Sequence, residues 1–222
     1  TSAMEQLLNP EESELFARAR KKGWECFEKL GPPTRKSEAF QYLKLSAILN
    51  NNYKHPLHQE SDLSHLTWAP ESEGARFLIH QGSYNVEKSD SSSLPSQVVI
   101  LPLSSALKTY GTLLNNQWNQ TLKEEQDPFV ALNLALHREG IFIYIPPKTV
   151  LERPLHILQL LEGHGLSTIA FPRIHFFVGA HAEVTLLSTQ KFLNQNSANN
   201  SVWHLAIEEG AHVNLIQEAW EA

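Results

Sequence analysis

One cysteine in 222 residues, Cys26, excludes an internal disulfide and any four-cysteine zinc or iron–sulfur site held within these residues. The same scarcity points to a reducing compartment or to no use of sulfur chemistry, and the expected location is cytoplasmic. Positive charge is also short. Lys+Arg 18 against Asp+Glu 24 gives a formal charge of -6, which offers no footprint for a polyanion and argues against a nucleic-acid partner. Long apolar runs are missing as well: Gly140 to Ile145 falls far short of the roughly 20 residues that a spanning helix needs. Thr1 to Leu8 has neither a basic segment nor a sustained apolar one, so no secretory signal is read there, while a start on Thr rather than Met leaves a processed end open.

Catalytic signatures are absent too. No P-loop, no Gly-x-Ser-x-Gly elbow and no kinase set occurs, so nucleotide hydrolysis is not expected. Gly163-His-Gly165-Leu-Ser-Thr168 has two glycines of a dinucleotide fingerprint, but the third is lacking and a strand follows where a helix should begin. A hairpin turn is the better reading.

A chain that is 41% hydrophobic is long enough to bury a core. Asn9-Pro10-Glu11-Glu12 reads as a helix start, and Leu15, Ala19, Cys26, Phe27 and Leu30 continue it at helical spacing until Gly31-Pro32-Pro33. A second, shorter helix is expected over Ser37 to Leu49, with Phe40, Leu43 and Ala47 on one stripe, followed by an irregular connection through Pro70. Arg76 to His80, Gln81-Gly82 and Tyr84 to Val86 read as strand, turn, strand, and Val98 to Leu101 as a third strand. Leu103, Leu107, Tyr110 and Leu114 keep helical spacing. Asp127-Pro128 opens a further helix, with Phe129, Leu132 and Leu136 on one face and Gly140 as its stop.

From Ile141 the period changes to two. Ile141/Ile143/Ile145, Leu155/Ile157, Ile174/Phe176/Val178, Val184/Leu186, Trp203/Leu205/Ile207 and Val213/Leu215 alternate as half-buried strands do, about seven of them with no helix between. Gly179-Ala180-His181 recurs as Gly210-Ala211-His212, which hints at a stacked repeat. Such a stack needs covered ends, and the series stops in or just after a strand, so a further rung or another chain is expected along Val213 to Trp220.

Eleven histidines raise the question of a metal, and His175, His181, His204 and His212 all fall in the strand-rich part. No His-x-x-x-His or His-Glu-x-x-His spacing supports one. His175 alternates against Ile174 and Phe176, and His181 and His212 sit in turns, so solvated or structural imidazoles are the simpler reading. Glu208-Glu209 and Glu218/Glu221 could be paired carboxylates for glycoside chemistry, but nothing beside them would line a sugar groove. Cys26 has Glu25 and Glu28 nearby, which would raise its thiol pKa, and reads as a buried structural thiol. No catalytic, cofactor-binding or metal residue is assigned.

Four segments carry a family resemblance. Gly31-Pro-Pro-Thr-Arg35-Lys-Ser-Glu38-Ala-Phe40-Gln-Tyr42-Leu-Lys-Leu45 resembles the Arg/Glu/Tyr segment at the front of SufD-type proteins. Asp127 to Ala135, then Gly140 to Pro146, then Glu152 to Ile157, are similar to that family's next stretch, and Pro172-Arg173 to Gly179 with Glu183 to Ser188 resembles a rung of the SufB/SufD core. Phe40 stands where the pattern has Trp, Leu43 where it has Thr, and Gln81-Gly82 where it tends to have Asn-Gly.

The resemblance implies a mainly β fold with an α-helical N-terminal region and a truncated right-handed parallel β-helix core. Residues 1–70 would be helical, 71–140 a mixed α/β linker region, and 141–222 the first rungs. It also implies a SufD-like, non-enzymatic scaffold subunit, acting with a SufB-like paralogue and the SufC ATPase, with a possible homodimer through the β-helix. An iron–sulfur cluster would be assembled transiently by the full complex and held by no residue here. Two readings from other classes compete: a carbohydrate-active β-helix or jelly-roll protein, and a metal-binding sensor module.

Overall fold

The structure is a computed structural model that describes residues 12–34, 40–41, 53–54, 56, 63, 68, 73–162, 167–193 and 196–220. The expected helix over Ser37 to Leu49, apart from Phe40 and Gln41, lies outside these residues, as does the expected start at Asn9-Pro10.

Helix α1 covers Glu14–Leu30. Its N-cap is Ser13, whose hydroxyl accepts the Phe16 N–H, and it stops at Gly31 with φ +75, whose N–H returns to the Phe27 carbonyl. Of the expected Leu15/Ala19/Cys26/Phe27/Leu30 stripe only Ala19 is buried, and Phe16, Arg20 and Gly23 complete the inward face. Gly23 explains the rotation. A Cβ there would lie 2.8 Å from the Ala135 backbone nitrogen, so only glycine lets this helix approach so closely.

Strands β1 (Arg76–His80) and β2 (Ser83–Asp90) form the expected hairpin around Gln81-Gly82, both at positive φ. Strand β3 (Val99–Pro102) leads into helix α2, Leu103–Glu124, which runs ten residues past Leu114 through a local break at Tyr110. Helix α3 is Pro128–Leu136, capped by Asp127, whose carboxylate accepts the Phe129 N–H at 2.8 Å. Asp127→Ala is expected to cost about 1 kcal/mol, read as a lower urea midpoint at unchanged slope. Two expectations for α3 fail. Its buried side is Ala131, Leu134 and Ala135 with Asn133, because that side meets α1 and the sheet, and the stop is His137. Gly140 instead opens the next strand, where a Cβ would fall 2.2 Å from the Arg173 carbonyl oxygen.

The rest is strand: β4 (Gly140–Ile145), β5 (Leu155–Leu161), β6 (Thr168–Ala170), β7 (Arg173–Val178), β8 (Glu183–Phe192), β9 (Ser197–Asn199), β10 (Val202–Ile207) and β11 (His212–Trp220). The described residues are therefore mainly β, in three sheets ordered β11-β8-β5-β1-β2, β10-β7-β4-β3 and β6-β9. Among β4 to β11 themselves every pairing is parallel and skips two strands. Ile141 pairs with Ile174 and Ile174 with Trp203, Leu155 with Leu186 and Leu186 with Leu215, and Thr168 with Ser197.

The alternating residues converge on one interior. Ile141, Ile143, Ile145, Leu155, Ile157, Ile174, Phe176, Val178, Val184 and Leu186 are at most 4% exposed, and each burial is worth about 1.5–3 kcal/mol. Trp203, Leu205, Val213 and Leu215 continue the same rows half-buried, since β10 and β11 are sheet edges. Outward rows are covered as well. Phe142 and Phe177 lie under α1 and α2, and Leu158 and Leu160 lie under Leu63 and Trp68.

The turns show a repeat that differs from the one in the sequence. Val150 bridges Glu183 and Glu183 pairs with His212, so Lys148, His181 and Gly210, each two residues earlier, occupy equivalent corners. Their φ values are +62, +59 and +69. Gly210 thus stacks on His181, and the two Gly-Ala-His triplets are offset by two residues rather than superposed.

Candidate functional site

The chemistry-bearing side chains that come together lie in the seam between the helices and the outward row of β4, β7 and β10. Strand alternation that sends Ile174 and Phe176 inward sends His175 outward, and parallel register places Phe142 on one side of it and His204 on the other. His175 is 0% exposed because α2 lies over it. The Trp118 indole N–H donates to His175 Nε2 at 3.2 Å, and the His175 and His204 rings are 5.4 Å apart. His137, also buried, packs against Trp118 at 6.3 Å and Phe16 at 5.1 Å, with Nδ1 against the Leu134 carbonyl.

Two buried guanidinium groups flank this row. Arg20 is paired with Glu12 at 2.6 Å and donates to the Ala135 carbonyl. Arg173 is 1% exposed and donates to Asn133 Oδ1 at 2.9 Å. Asn133 in turn donates to the Pro172 and Asn200 carbonyls, joining α3 to the starts of β7 and β10. Burial lowers the Arg173 pKa to about 10, with partial compensation from Glu125. Burial also pushes His175 well below its ordinary 6.5, reinforced by Arg173, His204 and His137. His137 is pushed well down by burial, Arg20 and Arg173, and His204 is lowered by burial and Arg173. The imidazoles are therefore neutral around pH 7. Of the three only His204 borders a cleft, of about 490 Å³, lined also by Gln117, Gln120, Thr121, Glu125 and Ala206.

A profile of the SufBD protein N-terminal region matches residues 2–157, well over half of the chain. The chain belongs to the SufBD family. An iron–sulfur cluster assembly SufBD family protein of Synechocystis sp. is 22% identical over 217 residues, 93% of this chain and 48% of the relative. A second protein of that description, from Pyrococcus horikoshii, is 23% identical over 53% of this chain and 26% of its own length. The iron–sulfur cluster assembly protein SufB of Bacillus subtilis is 25% identical over 52% of this chain and 25% of its own length. The chain thus spans at most about half the length of these relatives.

In this SufBD chain the histidines considered for a metal do not gather. His175 and His204 are neighbours, whereas His181 is exposed at a turn and His212, expected in a turn, is exposed as the first residue of strand β11; among the described residues no three His, Cys, Asp or Glu side chains are grouped to hold an ion. Glu208 accepts the Ala180 N–H, Glu218 lies exposed on the edge strand β11, and Glu221 and Gly163 to Leu166 fall outside the described residues. Cys26 is only partly buried. It lines a cleft of about 570 Å³ with Lys22, Lys29 and Lys123, and burial and then Glu125, rather than Glu25 or Glu28, raise its pKa. Phe40 is 7% exposed and meets Phe129 edge-on at 5.4 Å, so an aromatic is retained for packing where the family pattern carries Trp. Asn133 and Arg173 enter the sequence reading only as letters of the family segments, and Trp118 not at all. The signal for Trp118 was available, four residues past Leu114 on the same stripe.

Proposed function

We propose that this protein is a non-enzymatic, SufD-like scaffold subunit for iron–sulfur cluster assembly, working with a SufB-like paralogue and a SufC-type ATPase. The observation that carries the reading is the collinear match to the Synechocystis relative over 93% of the chain, since it joins the helical and strand-rich parts in one order. The choice of SufD over SufB rests on the front Arg35/Glu38/Tyr42 segment. The fold suits support rather than turnover. Three of its buried polar groups, Asn133, Arg173 and Trp118, are spent on joining helices to strands.

The strand-rich part is read as the opening coils of a right-handed parallel β-helix. Parallel pairing that skips two strands, a shared interior and equivalent left-handed corners at Lys148, His181 and Gly210 support this. The half-buried edges of β10 and β11 are where such a stack would be extended. The cluster is the complex's product, held transiently and not by Cys26.

Co-expression of the full natural-length protein with SufB-like and SufC-like proteins of the same genome tests the reading. A stable complex recovered through a tag on this subunit is expected. Recovery of the folded protein alone, while the other two associate, would remove the scaffold assignment.

A further inference from the structure

The seam between helix α2 and the sheet contains a bond that only one protonation state of His175 can make. An indole N–H is a donor and never an acceptor, so His175 Nε2, 3.2 Å away, must present its lone pair. The neutral ring then carries its proton on Nδ1, which finds no partner among the described residues. We propose that the Trp118–His175 bond is an acid-released latch that holds α2 on the outward face of β4 and β7. Uptake of a solvent proton at Nε2 turns the acceptor into a second donor facing the indole N–H. The bond is lost, and a cation is left in a dry seam.

The surroundings do nothing to accommodate that cation. From β7 itself Arg173 faces His175, from β10 His204, and from the end of α3 His137, all basic. Arg138, beside His137, adds a further positive charge on the same side as Arg20. The two carboxylates at the seam are otherwise engaged: Glu12 pairs with Arg20, and Glu125 bonds the Gln126 and Asp127 N–H groups while offsetting Arg173. Trp118, the contact from α2, brings no charge.

The sign follows from linkage. With α2 lifted, His175 takes up a proton near its ordinary 6.5; with α2 docked it does so only far lower. Below pH 6.5 the lifted form binds the extra proton, and the docked-to-lifted ratio falls about tenfold per pH unit for each proton excluded. His137 is shielded by the same layer and adds in the same direction. Lifting exposes Phe142 and Phe177 and opens the cleft beside His204 to the seam. The latch would let a drop in pH uncover an apolar surface without dismantling the strand stack.

The test is hydrogen exchange, corrected for intrinsic rates, on the intact chain between pH 7.5 and 5. Amides of Leu103–Glu124 are expected to lose protection with falling pH while those of Gly140–Ile145 keep theirs. His175→Gln retains an acceptor for the Trp118 N–H and cannot titrate, so its pH slope for α2 should fall by one proton, about tenfold per pH unit. Ring nitrogen spectra of the unsubstituted protein at pH 7.5 should show His175 as the Nδ1–H tautomer. An Nε2–H or charged ring at that pH, equal pH dependence of α2 and β4, or an unchanged slope in His175→Gln would each overturn the latch. If the Gln variant fails to fold, the tautomer and the α2-against-β4 comparison still decide.

Discussion

Trp118→Ala is expected to lower stability by about 3–5 kcal/mol, the range for emptying a large aromatic site in a core. Trp118 is 1% exposed and reaches three elements at once: Phe16 of α1 at 6.0 Å, His137 after α3 at 6.3 Å and His175 of β7 at 5.9 Å. Alanine would leave a cavity where the helices meet the sheet and would strand the His175 acceptor in a dry site. None of the three elements can collapse into the space without leaving another partner. Trp118→Phe should recover more than half of the loss, because most of the ring contact returns and only the N–H bond is missing. Urea unfolding monitored by far-UV circular dichroism measures both. A loss below about 1 kcal/mol for the alanine variant would mean that α2 is not anchored at this residue.

Gly140→Val should be comparably damaging, at about 3 kcal/mol or more, for the opposite reason. Gly140 is directly paired with Arg173 in the β4/β7 ladder, and a Cβ would lie 2.2 Å from the Arg173 carbonyl oxygen and 3.2 Å from a Leu103 methyl. The first of these is a backbone atom held in a parallel sheet and cannot rotate away. Relief requires β4 to shift against β7, which also disturbs the Arg173–Asn133 bond behind it. The readout is the yield of soluble protein and its urea midpoint. A valine variant within about 1 kcal/mol of the parent would contradict the β4/β7 register.

Those two residues also mark the boundary of what could be read from the sequence. Alternation located six of the eight strands from Gly140 on, because a two-residue period needs only hydrophobicity to be seen. Strands β6 and β9, three residues each, are too short to show it, and the inward rows of the six agree residue by residue up to Leu215. The exception is Ile207, which belongs to the Trp203 row by pattern but is 49% exposed at the end of an edge strand. Helix faces fared worse. In α1 the decisive residue was Gly23, whose meaning depends on how near α3 comes, and in α3 the small residues Ala131 and Ala135 outweigh Phe129 and Leu132 for the same reason. Close approach is a property of two segments, and one-segment periodicity cannot report it.

The seam was legible only in fragments. Alternation marks His175 as an outward residue, but nothing local reveals that a helix from Leu103 lies over that face. Asn133 inside an apolar run is the sequence's mark of the seam. A lone amide there has to serve something buried, and it serves two carbonyls and a guanidinium. Family membership, by contrast, could be read from the order of four segments, and the match over residues 2–157 covers those up to Ile157, leaving Pro172 to Ser188 outside it.

The corners at Lys148, His181 and Gly210 have a bearing on how such chains should be aligned. They share a backbone conformation and no residue type, while the matching letters, Gly179-Ala180-His181 and Gly210-Ala211-His212, are two residues out of step. A shift of two preserves strand parity, so every apolar residue would still face inward and the error would leave no trace in hydrophobicity. Spacing gives no protection either: Ile141 to Ile174 is longer than Ile174 to Trp203, the slack being taken up between strands. Phase in this stack is carried by the sign of one torsion angle per turn. Letter-based alignment of neighbouring parallel strands would therefore assign the wrong equivalents to every substitution made in them.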